Sequence, residues 1–147
     1  MNEFQRLLAY MKVLYHNLTT LHRNLQKDEA WFGNHKQLGK WYEEVASEID
    51  DLAETCIALG YKEPTIADAV MLFTSDILSS DARKPEETFR LCFEYFRSVS
   101  GMMQAAEPGV PASVTSKLQE YEYFWNKEAN FKLASAIGKR VADIDDD

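Results

Sequence analysis

Glycine, proline and cysteine are scarce in this 147-residue chain, at six, four and two copies. The few glycines form no phosphate-cradling loop, and neither a GxSxG elbow nor an HExxH pair occurs. No apolar run approaches the ~20 residues that span a bilayer. Residues 1–18 are periodic rather than continuously apolar and lack a small-residue cleavage site, so no signal peptide is read there and a cytoplasmic protein is expected. Cys56 and Cys92 lie on apolar helical stripes without CxxC spacing, which predicts two reduced core thiols rather than a disulfide or a thiolate site. Basic residues are also in deficit: 16 Lys and Arg stand against 24 Asp and Glu, a net charge of -8 that repels phosphate backbones. Strand alternation and internal repeats are absent.

What remains is a helix-forming chain with ample core material. An apolar fraction of 46%, with eight Phe, seven Tyr and three Trp, is enough to offset the entropy of ordering. The length fits one domain, residues 1–140, followed by an acidic tail, residues 141–147, expected to be mobile. Phe4, Leu7, Met11, Leu14, Leu18, Leu21 and Leu25 alternate by three and four, the seam of a first helix over residues 2–26. Asn34 with Gln37 resembles a capping box opening a second helix, whose seam is Leu38, Tyr42, Val45, Ile49, Leu52, Cys56 and Leu59 and whose C-cap is Gly60. Thr65 and Asp68 cap a short helix with a narrow apolar face of Ile66, Ala69, Val70, Phe73 and Ile77, best read as an interface. Pro85 opens a third long helix with Phe89, Cys92, Phe96, Val99 and Met103 as its seam, and the stretch from Glu107 to Pro111 stops it. A fourth, from Pro111 or Ser113 to Gly138, carries Val114, Leu118, Tyr121, Phe124, Trp125, Phe131 and Leu133. The aromatic cluster Tyr121, Tyr123, Phe124 and Trp125 is expected to pack in the core or between subunits. Four long helices with one long crossover that holds its own small helix outline an all-α, ferritin-like four-helix bundle.

Two imidazoles and two carboxylates, His22, His35, Asp50 and Glu54, are the ligand mixture of an iron or zinc site. Asp50 and Glu54 stand one helical turn apart, which puts both on one helix face. The alternatives stay open at this point: helix-surface or interface histidines, and a solvated acidic face that also includes Glu43, Glu44, Glu48 and Asp51.

In this order of elements, the stretch WFGNHKQLGKWYEEVASEIDDLAETCIALG, residues 31–60, resembles the Dps family of mini-ferritins, as does SVTSKLQEYEYFWNKEANFKLASAIG, residues 113–138. The resemblance extends from about Leu14 to Gly138. It implies that His22 and His35 are the family's metal histidines and that Asp50 and Glu54 are its DxxxE pair, supplied by a two-fold neighbour. It also implies a homo-oligomer, dimer-based and plausibly dodecameric, that binds iron between subunits, oxidises ferrous iron and stores the product. Two positions depart from the family pattern. Gly39 stands where an aspartate is expected four residues after His35, and Arg23 where a tryptophan usually follows the first histidine. They favour the alternative, a degenerate oligomeric structural or interaction protein without ferroxidase activity. DNA binding is not expected, because the sequence starts helically without a basic arm and residues 142–147 are acidic.

Overall fold

The computed structural model describes residues 1–138; the expected acidic tail, residues 141–147, lies outside the described residues. The described residues contain α1 (Glu3–Arg23), α2 (Trp31–Ala58), α3 (Ile66–Leu72), α4 (Pro85–Ala106) and α5 (Ala112–Lys127), and α5 continues without a break through a π-helical segment, Glu128–Leu133, into a last turn, Ala134–Ala136. The chain packs as two compact units, Met1–Lys84 and the part from Pro85 onward.

In the first unit α1 opens with a capping box. Asn2 Oδ1 accepts the Gln5 N–H at 2.8 Å and Gln5 Oε1 accepts the Asn2 N–H at 2.9 Å. Every residue of the expected α1 seam is buried, Leu25 included. The second helix begins three residues before the expected box at Asn34 and Gln37, which does not form. Asn34 is already inside the helix, its N–H bound to the Ala30 carbonyl at 3.0 Å. The chain instead turns at Asp28, whose carboxylate accepts the Ala30 N–H at 2.9 Å. The buried stripe of α2 is Leu38, Trp41, Val45, Glu48, Leu52 and Cys56, so Tyr42 and Ile49 sit at its edge, half-buried. Gly60, at φ +85°, ends α2 as expected: the Tyr61 N–H reaches the Cys56 carbonyl and the Gly60 N–H that of Ile57, both at 3.0 Å.

The Thr65 and Asp68 capping box of α3 forms. Ala69 and Phe73 are buried, with Phe73 edge-on to Tyr10 at 5.3 Å, so α3 docks on α1. Its expected face is narrower than the sequence pattern, because α3 stops at Leu72 and Ile77 lies in extended backbone beyond a 3-10 turn at Thr74–Asp76. Buried Asn17 holds this crossover, donating to the Asp76 carbonyl at 2.8 Å and accepting the Leu78 N–H at 3.1 Å. The segment before α4 in turn pins the α1–α2 loop, since the Gln26 N–H donates to Arg83 O at 2.8 Å and the Arg83 N–H to Asn24 O at 3.1 Å.

In the second unit Trp125 is fully buried against Phe96 at 4.5 Å and Phe124 at 4.8 Å. Leu118 and Leu133 are buried as expected, but Phe131 is not: it is 66% exposed. The π-helical segment causes this, because its extra residue per turn rotates positions after Glu128 away from the 3.6-residue seam. Tyr123 is likewise exposed while its neighbour Trp125 fills the core. Both cysteines are free and buried, as two reduced core thiols would be, and burial pushes both thiols up.

Candidate metal centre

His22 lies on the last turn of α1 and His35 on the second turn of α2, so the pinned loop between these helices sets their separation. The two imidazoles stack, with ring centres 3.6 Å apart and planes 20° from parallel. Each is held by the other residue's backbone: His22 Nδ1 is 2.7 Å from the His35 carbonyl oxygen, and His35 Nδ1 is 2.8 Å from that of His22. A carbonyl oxygen only accepts, so each Nδ1 carries a proton, and a ring in its neutral form then has its lone pair at Nε2. This is the tautomer a metal ligand needs, fixed by the kind of backbone bond that orients ligating histidines. Burial lowers the pKa of His22 and favours the neutral ring; the hydrogen bond to His35 and the charge of Glu43 act the other way.

The stack also limits what the pair can hold. Imidazole lone pairs lie in the ring planes, and planes this far apart and nearly parallel do not meet within a metal–nitrogen bond of ~2.0–2.1 Å. In this arrangement the two rings do not chelate one ion; each addresses its own position.

Gly39 explains its own lack of a side chain. A Cβ placed there would stand 3.2 Å from Cε1 and 3.5 Å from Nδ1 of His22, so the imidazole lies where a side chain would begin. The carboxylate expected at this position is replaced by the face of a histidine. Around the pair is an aromatic shell that sequence reasoning missed. Trp31 stacks on His35 at 4.3 Å and 15°, Tyr42 meets His22 edge-on at 5.2 Å, and Tyr15 meets Tyr42 edge-on at 5.9 Å. The i, i+4 spacing of Trp31 and His35 signals the first contact, but placing the helix start at Asn34 put Trp31 in a loop.

Asp50 and Glu54 are exposed on the same helix as His35, one turn from each other. From His35 to Asp50 the helix rises by roughly 22 Å. The chain therefore brings His22 to His35, and sets Asp50 one turn from Glu54, but does not join the two pairs. Among the described residues no group of three or more His, Cys, Asp and Glu is gathered to hold a metal, and no helix is long and apolar enough to cross a membrane.

No family model and no curated protein matches the sequence. Solved structures do match. The antigen TpF1 of Treponema pallidum is 17% identical, with TM-score 0.84 over 92% of this chain and 88% of its own. A Dps protein from Bacillus brevis is 20% identical, with TM-score 0.82 over 92% of each chain. Helicobacter cinaedi CAIP is 21% identical, with TM-score 0.79 over 92% of this chain and 96% of its own. The chain thus has the Dps fold, a ferritin-like four-helix bundle with a short extra helix in its middle connection, as its sequence implies.

Proposed function

We propose that this protein is a mini-ferritin that takes up ferrous iron, its substrate, at a site shared by two copies of the chain. His22 and His35 come from one copy, and Asp50 and Glu54 from the other. The observation that carries this reading is the reciprocal pair of Nδ1–H···O=C bonds, which leaves both Nε2 lone pairs free. The separation of the acidic pair from the histidines is in keeping with it, since carboxylates that far along one helix do not reach the histidines of their own chain. A two-fold partner has a surface to cover. Lys12, Tyr15, Ala46, Ile49 and Ile66 line a groove of about 270 Å³ in the first unit, beside Ile66, Val70 and Met71 on the outer face of α3.

Because the stacked rings do not chelate one ion and Gly39 supplies no carboxylate, one imidazole nitrogen with the neighbour's Asp50 and Glu54 holds a single ferrous ion per site. Hydrogen peroxide or dioxygen then takes its electron, and ferric product is stored inside a homo-oligomer of two-fold dimers, in the dodecamer case within a cavity. Gly39 favours a second reading, an oligomeric scaffold without this chemistry. Ferrous iron added to metal-free protein separates the two. Ferric absorbance should rise faster than in buffer and fall to the buffer rate in His35→Ala and in Glu54→Ala; equal rates in all samples leave only the scaffold.

A further inference from the structure

The π-helical segment that swings Phe131 out of the seam leaves an open groove on the exposed face of the last helix. Its volume is about 420 Å³, and Tyr123, Asn126, Lys127, Asn130 and Phe131 line it. Tyr123 and Phe131, 70% and 66% exposed, bound it along the helix, roughly 12 Å apart. Lys127 lies midway between them in sequence and is exposed. Among the described residues it pairs with no carboxylate, whereas Lys117 and Lys132 are held by Glu120 and Glu128. On the groove floor Asn126 Oδ1 accepts from Ser100 Oγ at 2.6 Å, but Asn130 Oδ1 is shielded from solvent and has no partner among the described residues. An extended segment with spaced apolar side chains, an acid between them and backbone N–H donors fits such a surface.

The chain carries that pattern itself, in the sequence KRVADIDDD of residues 139–147. We propose that residues 139–147 turn back along the last helix of their own chain and occupy this groove, with Val141 against Phe131, Ile144 toward Tyr123 and Asp143 beside Lys127. The helix ends at Gly138, whose φ of +74° turns the chain off the helix axis. Gly138 follows Phe131 and Ser135 by four and three positions, so the chain leaves over the face that Phe131 occupies. Lengths agree as well. Three extended residues span about 10 Å, from Gly138 to Val141 and again to Ile144, against roughly 10 Å along the helix back to Phe131 and 12 Å on to Tyr123. Charge runs in the same sense, since Lys139 and Arg140 come first, at the negative end of the helix dipole, and the aspartates follow toward its positive end. A backbone passing over Asn130 brings N–H groups to its Oδ1. The inference stands apart from the metal reading, because it uses only residues of the second unit.

The test puts the photoreactive benzoylphenylalanine in place of Phe131 in the full-length protein, irradiates a mixture of isotopically labelled and unlabelled chains, and maps the cross-linked peptides. The link should join this position to residues 139–147 of the same chain. Salt at about 1 M, which shortens the screening length to ~3 Å, should cut its yield several-fold, as should Lys127→Glu. Val141→Asp combined with Ile144→Asp lies outside the helices, so the thermal midpoint should hold while the yield again falls several-fold. Amide hydrogen exchange needs no variant: in the wild-type protein residues 141–144 should exchange several-fold more slowly than in a free peptide of sequence KRVADIDDD. A link to the last helix of another copy would make the groove a subunit interface and overturn the proposal. So would a link to another copy's residues 139–147, no link to that segment at all, or free-peptide exchange rates in the intact protein.

Discussion

Gly39 is the residue on which the chemistry turns. A Cβ there would stand 3.2 Å from His22 Cε1, so any side chain asks a ring that is also held by the His35 carbonyl to give by a few tenths of an ångström. Gly39→Asp should lower stability by about 1 kcal/mol, the scale of overpacking a well-filled site. It should also raise bound ferrous iron from one ion to two per site, which thermal unfolding and anaerobic titration would read. The substitution itself was legible in the sequence; what fills its place was not, because ring positions follow from the tertiary pinning of the α1–α2 loop. Another residue-scale feature escaped the sequence for the same reason. Glu122 on α5 is pushed up to about 7, first by burial and then by the hydrogen bond and charge of Glu107. Since its folded pKa lies above the ordinary value of 4.5, its contribution to stability is full below about 4.5 and is lost as pH rises through about 7. The thermal midpoint should therefore fall between pH 5 and pH 8, and Glu122→Gln should flatten that part of the profile.

At the scale of elements, capping chemistry and three-four periodicity carried most of the information. The α1 seam, the Thr65 and Asp68 box, the Pro85 start and the Gly60 stop all read directly, because each depends on neighbours within a turn. Gly60→Ala forces an L side chain into φ +85° and should cost about 1 kcal/mol in denaturant unfolding. Asn2→Ala, which removes a paired cap, should cost a similar ~1 kcal/mol. Two elements misled. Asn34 and Gln37 have the spacing of a box but lie inside a helix that begins at Trp31, just after the turn at Asp28. Phe131 fits the heptad count but not the helix, since periodicity assumes 3.6 residues per turn and the chain widens into a π-helix at Glu128.

At the scale of the whole molecule, the site exists only if two copies meet. One chain supplies oriented nitrogens at one end of α2 and exposed carboxylates toward the other, and in the proposed dimer a two-fold axis near the middle of the helix would exchange the two ends. Sequence could propose this only through its resemblance to a family, because no spacing within a chain encodes a neighbour. The most direct measurement is complementation. Protein carrying His22→Ala and His35→Ala, and protein carrying Asp50→Ala and Glu54→Ala, should each bind no ferrous iron. Refolded together in equal amounts, half of the two-fold pairs are mixed, and each mixed pair regains one of its two sites. The account predicts about a quarter of wild-type ferrous binding in the co-refolded sample. No recovery on mixing, or full binding by either variant alone, would contradict a site built from His22 and His35 of one copy with Asp50 and Glu54 of the other.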